Sequence, residues 1–251
     1  MSLLPTVRIG MIVPSSNTCL EPITTRLLAG RDDVGIHCAR LGVTRIAVDG
    51  DSDGQFDAQP MIDVARQLSD AHVDLIVWNG TAGTWLGYDH DRDICSRIQE
   101  DTGIPATTSA LALLEGLGEL GARRVGLAVP YTRDVADEIA GRLVDEGFEV
   151  TAIAAGGLEE NFAFARLSRE QVHGMLRDSA VPETDAVAVV CTNVAAAVVS
   201  PGFEAEHGVP VCDSVAVTLW HALRLVGASA ELPGWGRLYD ENSRLSSEKE
   251  E

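Results

Sequence analysis

The heptapeptide RIGMIVP at Arg8–Pro14 returns 116 residues later as RVGLAVP at Arg124–Pro130. Two further pairs follow in the same order. DLIVWNGT (Asp74–Thr81) matches DAVAVVCT (Asp185–Thr192) at an offset of 111, and GIPATTSALAL (Gly103–Leu113) matches GVPVCDSVAVT (Gly208–Thr218) at 105. Strand–loop–helix units look alike, so one such match is generic. Three in one order at similar offsets describe an internal duplication. The expected fold is α/β, with two pseudo-symmetric lobes, each a mainly parallel sheet flanked by helices. The first lobe is expected over residues 1–108 and the second over 109–214, with 215–251 packing back on the first. Open parallel sheets bind ligands at the C-terminal ends of their strands, so the active site is expected in the cleft between lobes.

Outward from these repeats, short apolar runs alternate with amphipathic stretches. Val7–Val13, Val34–Leu41, Asp74–Trp78, Arg124–Val129, Phe148–Ala154 and Asp185–Val190 read as strands. Their nearly continuous apolar character belongs to a sheet covered on both faces. Helices are expected over Asp57–Ala71, Arg92–Thr102, Ala110–Leu120, Thr132–Glu146, Arg169–Ala180 and Val215–Val226.

Composition narrows the chemistry. The 251 residues are 45% apolar, enough for a substantial core. A net charge of −19 argues against nucleic acid or an anionic membrane as partner. Lys249 is the lone lysine, in a charged tail, which leaves Schiff-base and pyridoxal-phosphate chemistry without a residue. No apolar run is long enough for a membrane span, and MSLLPTVRIG lacks the pattern of a signal peptide, so a cytoplasmic location is expected. The five cysteines form no CxxC pair and no cluster with histidine at zinc spacing, so neither a disulfide scaffold nor a metal site is expected. No Walker A or G-x-G-x-x-G loop is present.

The chemistry gathers at four strand-end loops rich in small polar residues: Pro14–Thr18, Asn79–Thr84, Pro130–Asp134 and Cys191–Asn193. Each hydroxyl or amide there is also a natural helix cap. Together, Pro14, Ser15, Asn17, Asn79, Thr81, Ala82, Thr192 and Asn193 would frame a site for a carboxylate or enolate. Cys191 ends a buried strand just before a helix, where backbone dipoles are expected to lower a thiol pKa. The repeat pairs it with Gly80, so one of two symmetric thiol positions is vacant. Cys19 and Cys212 have no thiol counterpart and read as structural. Trp78 and Trp85 bracket the Asn79–Thr84 loop and read as core packing, with shaping of the apolar side of the pocket as the alternative.

These residues resemble the aspartate/glutamate racemase superfamily, and within it the branch of arylmalonate decarboxylases and maleate cis-trans isomerases. The resemblance rests on RIGMIVP, on Gly80–Thr81, on the Tyr131 loop AVPYTRDV, on Cys191 and on the terminal PGWGRLYDE (Pro233–Glu241). It implies cofactor-free chemistry. In the isomerases two cysteines flank the substrate, the first at the position of Gly80. In the decarboxylases that position is glycine, followed by threonine and serine, with a single proton-donating cysteine; Gly80, Thr81, Cys191 and a carboxylate-binding Tyr131 match, and Ala82 departs. Asn17 and Asn161 are isomerase-like.

The implied activity is decarboxylation of a malonate-like dicarboxylate. Asn17, Thr81 and Tyr131 would cradle a carboxylate and the enediolate, and Cys191 would supply the proton. The alternatives are a maleate isomerase-like or racemase-like enzyme on a small dicarboxylate, and a non-catalytic carboxylate-binding protein. The expected partner is a small mono- or dicarboxylate; a homo-oligomer is compatible with the sequence.

Overall fold

The computed structural model describes residues 4–47 and 54–240. Residues 1–3 of the opening segment, Glu241 of the PGWGRLYDE match and the tail lysine Lys249 lie outside the described residues.

Among the described residues, eight strands form two four-stranded sheets. The first holds β1 (Val7–Pro14), β2 (Val34–Leu41), β3 (Leu75–Trp78) and β4 (Ala106–Thr108), in the order β2-β1-β3-β4. The second holds β5 (Arg124–Tyr131), β6 (Glu149–Leu158), β7 (Ala186–Val189) and β8 (Val211–Asp213), in the order β6-β5-β7-β8. Every pairing is parallel. The duplication survives in the ladders. Ile9 pairs Leu75 and Ile12 pairs Trp78 in one sheet, while Val125 pairs Ala186 and Ala128 pairs Val189 in the other. Trp78 pairs Thr108, and Val189 pairs Asp213. These partners are the residues the sequence repeats align.

Ten helices cover the sheets among the described residues: α1 (Leu20–Leu27), α2 (Ala58–Ser69), α3 (Gly83–Leu86), α4 (Tyr88–Thr102), α5 (Ser109–Glu119), α6 (Arg133–Asp145), α7 (Asn161–Phe164), α8 (Arg169–Ser179), α9 (Ser200–His207) and α10 (Ser214–Leu225). The central strands β3 and β7 are buried throughout, as strands covered on both faces should be, whereas the edge strands β2 and β6 are half exposed. Gly126, in β5, has no room for a side chain: a Cβ there would overlap the Ser179 carbonyl at the end of α8. The repeat also reaches the caps. Thr108 Oγ1 accepts from Leu111 N at 3.1 Å to start α5, and Asp213 Oδ1 accepts from Val215 N and Ala216 N at 3.0 Å to start α10. These two helices pack together, with the Thr218 hydroxyl donating to Ser109 Oγ at 2.9 Å.

Six strands and six helices stand within a few residues of their expected places. The strands β4 and β8, three residues each, escape the reading because they are too short to show a period. Helices α1 and α9 escape it because Pro22 and Pro201 lie in their first turns, where proline is tolerated although it reads as a breaker. Pro130–Asp134 is less of a loop than expected: β5 runs to Tyr131 and α6 starts at Arg133. No helix among the described residues is long and apolar enough to cross a membrane.

Candidate active site

The C-terminal ends of β1, β3, β5 and β7 converge on a small, partly open cavity of about 20 Å³. That is room for one or two water molecules. Pro14, Gly80, Thr81, Tyr131, Asn161, Cys191 and Thr192 line it, which gathers seven of the sequence-derived candidates from both sheets. Among the described residues, no lysine, arginine or histidine lines it.

Ser15, Asn17, Asn79, Ala82 and Asn193 do not line the cavity. Ser15 is exposed and exchanges hydrogen bonds with the Val43 backbone at 3.2–3.3 Å. Asn17, expected to hold substrate directly, has no free donor. Its Nδ2 gives both protons to Thr192, at 3.0 Å to the carbonyl and 3.1 Å to Oγ1, while its Oδ1 accepts from Cys19 N and Leu20 N. Thr192 in turn donates to the Asn79 carbonyl at 2.9 Å. Asn193 mirrors this arrangement: its Oδ1 accepts from Thr18 N and Cys19 N, and its Nδ2 donates to the Asn161 carbonyl at 2.6 Å. These asparagines clasp one sheet's loops to the other's. Asn79 Nδ2 is spent on Val77 and Ile12 carbonyls, and Ala82 is packed at the start of α3.

Three hydroxyl or thiol groups remain at the cavity. Tyr131 and Thr81 share a hydrogen bond of 3.2 Å, and the Tyr131 hydroxyl also reaches the Cys191 thiol. Asn193 N donates to Cys191 Sγ at 3.4 Å. Contrary to the sequence expectation, the Cys191 thiol is not acidified. Burial pushes it up to about 12, outweighing the Tyr131 hydroxyl and the Asn193 N–H that favour the thiolate. Burial likewise holds Tyr131 well above the ordinary phenol range. Cys191 is thus a protonated thiol at neutral pH, suited to giving a proton rather than attacking carbon.

The apolar wall was largely invisible in the sequence. Val43, Ile46, Phe56, Trp78 and Trp85 complete the lining. Residues 43–47 lack periodicity, and tertiary pairing places them: Ile46 N donates to the Glu159 carbonyl at 2.9 Å, and Asn161 N donates to the Thr44 carbonyl at 3.0 Å. Trp78 and Trp85 are buried and also face the cavity, so the core reading and its pocket-wall alternative both describe them. Phe56, Trp85, Tyr131 and Phe164 form an edge-to-face series with centroids 5.2–5.7 Å apart. Among the described residues, the indole nitrogens of Trp78 and Trp85 have no hydrogen-bond partner. An orphaned buried donor costs about 1–3 kcal/mol, so such groups call for an explanation. His173, Glu206 and His207 group on α8 and α9, and none of them lines the cavity.

Comparison with known proteins follows the same lines. A family model described as arylmalonate decarboxylase matches residues 9–239. The chain is 30% identical over 243 residues to the arylmalonate decarboxylase of Bordetella bronchiseptica, covering 94% of this chain and 98% of that one. A liganded double mutant of arylmalonate decarboxylase superposes with a TM-score of 0.84 at 29% identity, over 94% of this chain and 100% of that chain. A mutant of the Nocardia farcinica maleate cis-trans isomerase, carrying a covalently bound succinylcysteine intermediate, superposes with a TM-score of 0.87 at 26% identity, over 94% and 99%.

Proposed function

The chain belongs to the arylmalonate decarboxylase family, and from that premise we propose that it is a cofactor-independent decarboxylase of a malonate-like dicarboxylate. The observation that carries this reading is the pairing at the cavity: one protonated thiol, Cys191, and a glycine, Gly80, where its repeat counterpart would stand.

In this reading the cavity, too small as it stands for a dicarboxylate, widens on binding; Thr81 and Tyr131 donate to one carboxylate, while Asn17 acts at one remove by fixing Thr192. The second carboxylate lies against the apolar wall of Val43, Ile46, Phe56 and Trp85, where a charged group is poorly solvated and its loss as CO₂ is favoured. The C–C bond breaks, its electron pair passes into an enediolate, and the hydroxyl donors bear the charge that develops on oxygen. Cys191 S–H then gives its proton to the α carbon, leaving the monocarboxylate product and a thiolate that solvent reprotonates. Delivery from one side fixes the product's handedness. With no cation lining the cavity among the described residues, neutral donors carry the recognition. We also assign residues 1–108 and 109–214 to the two lobes, on the strength of the matched ladders.

A second reading, isomerisation of a small dicarboxylate, draws support from the 0.87 TM-score to the maleate isomerase mutant. One assay separates the readings. The purified chain is offered malonates of graded substituent size, and separately maleate, with CO₂ release, fumarate formation and α-proton exchange in D₂O followed in parallel. CO₂ from a malonate is expected. Fumarate from maleate without CO₂ from any malonate would overturn the proposal in favour of the isomerase, and binding without turnover would leave a carboxylate-binding protein.

A further inference from the structure

Gly80 does not take a left-handed backbone conformation, so chain geometry is not what calls for glycine there. Space is. A Cβ built on Gly80 would overlap Cε2 and Cζ2 of the Trp78 indole and lie 2.6 Å from its Nε1. Trp78 closes β3 two residues earlier, on the same face of the extended chain, and its ring folds forward over the glycine. The volume into which a side chain at position 80 would project is therefore filled by the edge of the indole where its nitrogen meets the six-membered ring. That side chain would be the repeat counterpart of the Cys191 thiol. The indole is fully buried, lines the same cavity as Cys191, and its N–H has no acceptor.

We propose that Trp78 takes the place of the absent second thiol, as a specificity-determining residue that donates its N–H to a substrate oxygen and closes that face of the α carbon to proton delivery. The inference rests on the decarboxylase reading for its substrate. An indole N–H is a donor only and offers no exchangeable acid comparable to a thiol. It stabilises charge on the carboxylate and enediolate without competing with Cys191 for the carbanion. Thiol on one side and indole on the other give a site with one acid and one fixed donor. The orphaned nitrogen then has its acceptor in the bound state, which accounts for its being kept.

Two measurements on the full chain test this. The first is a thermal double-mutant cycle that needs no substrate. Gly80→Ala in the wild-type background is expected to lower the melting midpoint by roughly 5 °C or more, or to prevent folding, because the methyl group meets the ring. In the Trp78→Leu background the same change is expected to cost about a third of that or less. Equal cost in both backgrounds, or failure of the double variant to fold where Trp78→Leu alone folds, would overturn the placement. The second is Trp78→Phe, which keeps an aromatic wall and removes the N–H. On whichever malonate the wild type decarboxylates, kcat/KM is expected to fall about 10- to 100-fold, with product handedness kept. An unchanged kcat/KM would overturn the donor role. Absence of CO₂ release from the wild type itself would defeat the decarboxylase reading and with it the donor role, while the thermal cycle still decides the occupied volume.

Discussion

Cys191 is buried, protonated and hydrogen-bonded by Tyr131 and Asn193, so its removal separates chemistry from folding. Cys191→Ala is expected to lose turnover by several orders of magnitude while the melting midpoint moves little, since so small a truncation costs about 1 kcal/mol. Near-normal turnover in that variant, measured as CO₂ release, would make the thiol structural. Tyr131 touches both Thr81 and the thiol, and its loss reaches binding and proton delivery together. Tyr131→Phe is expected to reduce kcat/KM about 10²-fold, with KM raised and kcat lowered. If steady-state kinetics show neither constant changing, the hydroxyl does no work at the site. At this scale the sequence was readable where the repeat supplied a counterpart, as for Cys191 and Gly80. It was not readable for Asn17, whose four hydrogen bonds depend on Thr192, 175 residues away, and on its own backbone neighbours.

Between elements, the loops after β1 and β7 hold each other through Asn17 and Asn193 rather than through apolar contact alone. Removing the Asn17 amide leaves two buried acceptors of Thr192 and the Leu20 N–H short of a partner, while Cys19 N keeps its bond to Asn193 Oδ1. Asn17→Ala is therefore expected to destabilise the protein by about 2–4 kcal/mol in urea unfolding, and to loosen Thr192 at the cavity. A loss under 0.5 kcal/mol would show that water replaces the clasp. The long elements were legible because apolar runs and amphipathic periods dictate them locally. The strands β4 and β8 and the cavity wall at Val43 and Ile46 were not, since three residues show no period and residues 43–47 are placed by pairing with the segment that follows β6. Their position is a tertiary fact.

Over the whole molecule, the duplicated fold was the most legible feature, because matched ladders demand matched residues at every paired position. The acidic balance was legible too, but its distribution between surface and interior was not. Asp91 and Asp213 are fully buried, and burial raises both to about 7. An unfolded chain would ionise them near pH 4, so between about pH 4 and pH 7 the folded state holds the extra protons. Stability from these groups is complete below the unfolded value and is lost as pH rises through the folded one. The melting midpoint is therefore expected to be higher at pH 5.5 than at pH 8, and Asp91→Asn to flatten the difference. A midpoint that rises between those values would show that other groups govern the window. Asp185, held down to about 2 by Arg124, acts in the opposite sense only under strong acid.

That no lysine, arginine or histidine lines the cavity among the described residues has a kinetic consequence at long range. A dianionic substrate diffusing toward a body of net charge −19 meets repulsion, with no local basic funnel in the lining to offset it. Added salt shortens the reach of that repulsion, from a Debye length of about 30 Å at 0.01 M to about 10 Å at 0.1 M. Encounter should accelerate accordingly, so kcat/KM is expected to rise with ionic strength when measured with sodium chloride from 10 to roughly 150 mM, the reverse of a site that draws its anion in with arginine. A fall over that range would place an attractive cationic path at the entrance. On this account the enzyme works best where counterions are plentiful, its acidic exterior acting as a toll that ambient electrolyte lifts.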